Sequence, residues 1–212
     1  MNKNPQAIRV LCYGDSNTWG HGGNSKDRYP TNVRWTGRLQ EKLGEKYEVI
    51  EEGLCGRTTD LDDDSSTFSD KNGLNYLPAC LDSQSPLDLV ILMLGTNDLK
   101  PKFDRSAQDI AQAIDHLLEL IQTVTKKIIL VSPPHIREDR LKPDTNFRGA
   151  GAKSHQLAGF FKEVAEKRGC GFVDIAAYVQ PGDADGVHLE SEMHPIVAEV
   201  LYKKIRDINF RK

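Results

Sequence analysis

Three side chains of this sequence could form a proton relay around a nucleophile: Ser16, Asp185 and His188. A serine hydroxyl is a weak nucleophile at its free pKa and needs an adjacent base to take its proton. An imidazole accepts that proton near neutral pH, so His188 fits the part. The ring must be held in one tautomer, and a neighbouring carboxylate does this while stabilising the imidazolium. Asp185 stands three residues before His188 in Asp185-Gly186-Val187-His188, so one turn of chain can present both groups together. Acyl transfer through a serine also develops an oxyanion, which needs donors. Ser16 offers its own N–H, Gly53 an N–H with no side chain in the way, and Asn97 a side-chain amide. Losing one such donor typically costs ~10²–10³ in rate.

Each residue taken singly has a plainer use. A serine in Gly14-Asp15-Ser16-Asn17 can be a turn former or a helix cap. Asn97-Asp98 before Pro101 can cap a helix, and Gly53 can be a turn glycine. Their weight comes from where they fall relative to the strands.

Strand and helix patterns alternate along the chain. Ile8 to Tyr13 reads as a buried strand ending in the Gly14 to Asn17 loop. Trp35, Leu39 and Leu43 mark one stripe of a helix over Val33 to Leu43, with Gly44 as its stop. Tyr47 to Glu52 mixes polar and apolar residues, as a strand at a sheet edge does. Thr58 to Asn72 is rich in Asp, Ser and Gly and reads as an exposed loop. Leu87 to Leu94 is almost wholly apolar, the pattern of a strand buried on both faces.

Ile110, Ile114, Leu117, Leu118 and Ile121 predict an amphipathic helix, and Ile128 to Val131 another buried strand. A helix is predicted over Lys153 to Lys167 and a strand over Phe172 to Ile175. Ile196, Val197, Val200, Leu201 and Ile205 supply the buried stripe of the last helix. Such alternation implies parallel pairing with right-handed crossovers. The expected fold class is α/β: about five parallel strands in one doubly wound sheet, with residues 1–212 forming a single domain. In open α/β sheets the site lies beyond the carboxyl ends of the strands. Ser16, Gly53 and Asn97 follow or end predicted strands, and Asp185 and His188 precede the last helix.

Bulk properties agree with an ordinary globular chain. Of 212 residues, 38% are hydrophobic and 28% charged, which excludes disorder and membrane residence. The net charge of −3 argues against a nucleic-acid partner, which calls for a basic face. No apolar run is long enough to span a bilayer, and the N-terminus shows no secretory pattern. Cys12, Cys55, Cys80 and Cys170 form no CxxC pair, so a reduced, cytoplasmic protein with packing cysteines is expected. The histidines other than His188 form no metal-binding pattern, and no metal is expected.

Together, Gly14-Asp15-Ser16, Gly53, Gly95-Thr96-Asn97-Asp98 and Asp185-Gly186-Val187-His188 resemble the four blocks of the SGNH (GDSL-type) hydrolase family, in order and spacing, from about Ile8 to Leu201. Arg34-Trp35-Thr36-Gly37, Glu51-Glu52-Gly53-Leu54, Arg57-Thr58-Thr59, Tyr76-Leu77-Pro78 and Val131-Ser132-Pro133-Pro134 resemble its bacterial arylesterase and perhydrolase branch. The resemblance implies a three-layer α/β/α, flavodoxin-like fold and no metal or organic cofactor. It also implies hydrolysis of small acyl esters through an acyl-enzyme on Ser16. Ser16, Gly53 and Asn97 would line the oxyanion hole. A homo-oligomer is a reasonable expectation from that branch.

Where the first block often has Leu after the serine, this chain has Asn17, which bears on the pocket rim and acyl preference. Asn17, Trp19 and Leu54 are taken as candidate substrate contacts, although Trp19 could equally be a core aromatic. Asp183, five residues before His188, competes with Asp185 for the acid and fits the spacing less well. The α/β-hydrolase elbow GxSxG is absent, because Thr18 replaces its second glycine.

Two alternatives use the same site: an acyltransferase or perhydrolase, and a carbohydrate acetylesterase. A different class, a flavodoxin-like binder of a phosphate-bearing cofactor, draws on Gly20-His21-Gly22-Gly23. Asp15 would repel its phosphate, and no GxGxxG or Walker pattern is present.

Overall fold

A computed structural model describes residues 4–23, 27–63 and 70–210. Five strands form one sheet: β1 (Ile8–Gly14), β2 (Tyr47–Gly53), β3 (Leu89–Met93), β4 (Ile128–Ser132) and β5 (Gly171–Asp174). Seven α-helices accompany them among the described residues. They are α1 (Ser16–Trp19), α2 (Trp35–Leu43), α3 (Gly73–Gln84), α4 (Ala107–Ile121), α5 (Gly151–Ser154), α6 (Leu157–Arg168) and α7 (His194–Arg206).

All neighbouring strands pair in parallel, in the order β2-β1-β3-β4-β5. That is the flavodoxin-like winding, with its switch point between β1 and β3. The expected α/β fold is therefore the observed one. The mixed-polarity strand β2 lies at an edge, while β3 and β4 are buried along their whole length.

Alternate strand residues face two cores. Leu11, Tyr13, Val90, Leu92 and Leu130 pack with α3, α4 and α6 on one face. Val10, Cys12, Ile91, Ile129 and Val131 pack with α2 and α7 on the other, completing three layers. No helix among the described residues is long and apolar enough to cross a membrane.

Four local expectations need correction. The helix expected over Lys153 to Lys167 is two helices, α5 and α6. Ser154 Oγ donates to the Gly151 carbonyl and accepts the Ile136 N–H at 3.0 Å, so its side chain serves local bonds where the first helix stops. Ile196 is 38% exposed, because the buried stripe of α7 is Val197, Ala198, Leu201 and Ile205. The Thr58 to Asn72 segment is not simply exposed. Thr58, Thr59, Asp63, Lys71 and Asn72 are buried, and residues 64–69 lie outside the described residues.

Finally, helix α3 was not predicted as an element, since Pro78 interrupts its pattern. Asn72 caps it by accepting from the N–H groups of Leu74 and Asn75, at 3.1 and 3.2 Å. Burial of Leu77, Cys80 and Leu81 holds it against the sheet.

Candidate active site

The sheet register brings the site together. Gly14 on β1 pairs with Gly53 on β2 and with Met93 on β3, so three strands end level. The chain turns immediately after Gly14. Asp15 caps α1 by accepting the Asn17 N–H at 2.9 Å, and Ser16 opens that single helical turn. Gly53 must be glycine here. A Cβ would lie 2.6 Å from Trp19 Cα and collide with Trp19 N, so β2 can approach α1 only without a side chain.

Asp185 and His188 come from the loop before α7. Asp185 Oδ1 accepts the N–H groups of Val187 and His188, both at 2.9 Å, which closes the turn. Gly186 has φ +73°, and a Cβ there would sit 2.5 Å from the Arg137 carbonyl, so glycine is required at this bend as well. Asp185 Oδ2 lies 2.6 Å from His188 Nδ1, and His188 Nε2 lies 2.9 Å from Ser16 Oγ. One oxygen of Asp185 thus builds the loop and the other orients the ring. Burial pushes the Asp185 carboxyl up, but the bond and charge of His188 and the two backbone N–H groups outweigh it and hold it at about 2.

Asn17 stands close behind this loop rather than on open surface. It is 2% exposed. Its Oδ1 accepts the Leu189 N–H at 2.9 Å, and its Nδ2 donates to the Val187 carbonyl at 3.4 Å. Trp19 is partly buried beneath the Arg28 guanidinium, 5.4 Å from its ring centroid, and its own ring lies 6.2 Å from that of His21. Leu54 is partly buried and donates its N–H to the Gly14 carbonyl at 3.1 Å. Asp183 turns away, pairing with Arg137 at 2.8 Å and Arg140 at 3.2 Å.

Asn97 is buried in the turn after β3, and its Nδ2 donates to the Arg57 carbonyl at 3.0 Å. An amide nitrogen carries two protons, so one remains for another acceptor. The next residue, Asp98, receives the Thr59 N–H on both oxygens at 3.0 Å, as well as the Thr59 hydroxyl. Burial raises Asp98 to about 6 despite those bonds.

Sequence reasoning passed over His21. Its ring stacks on His188 with centroids 4.3 Å apart and planes 26° apart. Its Nδ1 is buried with no hydrogen-bond partner. Burial first, and the charge of His188 second, lower its pKa to about 4, so its ring is neutral at pH 7. The Gly20 to Gly23 run that contains it entered only as the basis of the phosphate-cofactor alternative. A histidine five residues after a candidate nucleophile was the one available signal.

No group of three or more His, Cys, Asp or Glu side chains among the described residues could hold a metal ion. A serine, a histidine and an aspartate thus stand in hydrogen-bond contact at the carboxyl edge of a parallel sheet, an arrangement that can carry acyl-transfer chemistry. The chain belongs to the GDSL-like lipase/acylhydrolase family, whose model matches residues 12–197.

Solved relatives agree. The chain is 35% identical to the aryl esterase of M. smegmatis, covering 96% of this chain and 100% of that one, with a TM-score of 0.88. It is 36% identical to a carbohydrate acetylesterase from Sinorhizobium meliloti, over 93% of this chain and 98% of that one, with a TM-score of 0.85. A curated acetylxylan esterase from Xylanibacter ruminicola is 25% identical over 226 residues. That match takes in 94% of this chain but only 43% of the relative's length.

Proposed function

We propose that this chain hydrolyses small acyl or aryl esters through a covalent acyl group on Ser16. The observation that carries the reading is the unbroken relay from Ser16 Oγ to His188 Nε2 at 2.9 Å and from His188 Nδ1 to Asp185 at 2.6 Å. Ser16 Oγ attacks the ester carbonyl carbon while His188 Nε2 takes its proton. The oxyanion that forms is met by the N–H of Ser16, the N–H of Gly53 and the free proton of Asn97 Nδ2. His188 then protonates the leaving alkoxide, and the alcohol departs. Water, deprotonated by the same ring, attacks the acyl-enzyme and releases the acid. Asp185 stays ionised throughout and stabilises the imidazolium. Wild type and Ser16→Ala assayed on p-nitrophenyl esters from acetate to decanoate test the reading. It expects preference for short chains and a dead mutant; a mutant with near-normal turnover overturns it.

A second reading narrows the substrate to acetyl groups carried on carbohydrate. It rests on the likeness to the S. meliloti and X. ruminicola esterases. Acetate release from an acetylated xylan, with kcat/KM above that for p-nitrophenyl acetate, supports it; release confined to the aryl ester rejects it.

A further inference from the structure

The Arg57-Thr58-Thr59 string lies outside the relay, yet Arg57 stands where the ends of several strands meet. The residue is 3% exposed. Its Nη1 donates to the Gly14 carbonyl at 3.0 Å and also to the Glu52 carbonyl. Its own carbonyl receives Asn97 Nδ2. Its guanidinium therefore ties the end of β1, just before Asp15 and Ser16, to the peptide entering Gly53, while its backbone carbonyl holds the amide of Asn97. These are the three sources of the proposed oxyanion donors.

The guanidinium is also an unusual charge. Its carbon lies 4.2 Å from the Tyr13 ring centroid and 5.2 Å from that of Tyr76. Those two rings are stacked at 6.4 Å. No carboxylate oxygen among the described residues comes within ion-pair distance of it. Its Nε is buried without an acceptor. A buried cation bonded to carbonyls and flanked by aromatic faces, with the buried Asp15 carboxylate within electrostatic reach, is costly to desolvate, and a structural strut could be apolar. Placed behind the donors, its positive charge favours negative charge developing in front of them.

We propose that Arg57 is the positioning residue of the oxyanion hole, its guanidinium fixing the Ser16 and Gly53 donors and biasing the site toward the anionic transition state. The proposal rests on the ester-hydrolase reading of the same site. It implies a loss in kcat rather than in substrate binding, because the donors act on the transition state.

The test compares wild type with Arg57→Lys and Arg57→Gln, with far-UV circular dichroism and melting curves to establish folding. For p-nitrophenyl acetate, Arg57→Gln should lower kcat ~10²-fold, the scale of one lost oxyanion donor. KM should stay within about twofold. Arg57→Lys keeps the charge but not the planar fork, and should recover only part of the loss. The rate of Ser16 labelling by a fluorophosphonate, whose phosphoryl oxygen needs the same donors, should fall in parallel. That readout serves even if no ester is turned over, so failure of the ester reading and failure of this proposal are separable. If neither variant folds, Tyr76→Leu, which strips one aromatic face from the guanidinium at a partly buried position, should show the same kcat-selective loss on a smaller scale. Folded variants with wild-type kcat and labelling rate overturn the proposal. So does a loss confined to KM.

Discussion

Asn17 Oδ1 accepts the backbone N–H of Leu189 at 2.9 Å, across 172 residues of chain. With the Nδ2 bond to Val187, this side chain holds the residues on both sides of His188. The residue after the nucleophile therefore positions the proposed base. Asn17→Leu would leave a buried N–H and a buried carbonyl unpaired, each costing about 1–3 kcal/mol. The expected outcome is a lower melting temperature together with a fall in kcat at nearly constant KM. Wild-type kinetics in Asn17→Leu would show that His188 holds its place without this bracket.

Asp185→Asn keeps the shape of the loop but removes the charge that fixes the His188 tautomer. A loss of ~10³–10⁴ in kcat is expected, on the scale seen for this substitution in serine proteases. Steady-state kinetics on p-nitrophenyl acetate measures it. The same variant has a signature in stability. Asp185 is held at about 2, below its ordinary 3.8, so its stabilisation is present above 3.8 and is lost as pH falls toward 2. Melting temperature against pH should decline less steeply across that window in Asp185→Asn than in wild type.

His21 carries the opposite kind of group with a related slope. Its pKa of about 4 lies below the ordinary 6.5, so the unfolded chain binds the extra proton between those values. Stability from this ring is complete above 6.5 and is lost as pH falls through 6.5 to 4. Phenylalanine keeps a ring against His188 without a titrating nitrogen. Melting curves of His21→Phe should therefore be flatter than wild type between pH 4 and 6.5. An unchanged slope would mean that His21 is not held neutral by its surroundings.

Gly53→Ala tests the close approach of β2 to α1. The added methyl meets Trp19 backbone, which cannot swing aside as a side chain could. Overpacking of this kind costs about 1–3 kcal/mol. The displacement falls on the helical turn that carries Ser16, so activity should drop further than the melting curve alone would suggest. Parallel kinetics and thermal melts decide it.

Much of this molecule was written in local patterns. The apolar run Leu87 to Leu94 and the stripe Ile110 to Ile121 each read correctly, because burial on two faces and burial on one leave different periods. Ser16, Asp185 and His188, which meet in hydrogen-bond contact, stood out by residue type, since few side chains suit the proposed parts of nucleophile, base and orienting acid. Pro78 hid α3, because propensity weighs against proline inside a helix and the cap at Asn72 with burial beneath outweighs it.

The sequence by itself determined the alternation that makes a parallel sheet, and the residue types that could do acyl chemistry at its edge. Only the tertiary structure decided which partners they meet. Asn17 reads as a rim residue by its place after Ser16, and becomes a bracket for His188 once two distant loops touch. Arg57 enters the sequence only within the Arg57-Thr58-Thr59 string, and lies behind three strand ends. His21 lies in a glycine run, and its ring faces the proposed base. The physical reason is the same in each case. Periodicity reports which face a residue turns to the core, but hydrogen bonds and ring contacts between segments far apart in sequence depend on register and close approach, which no local pattern encodes.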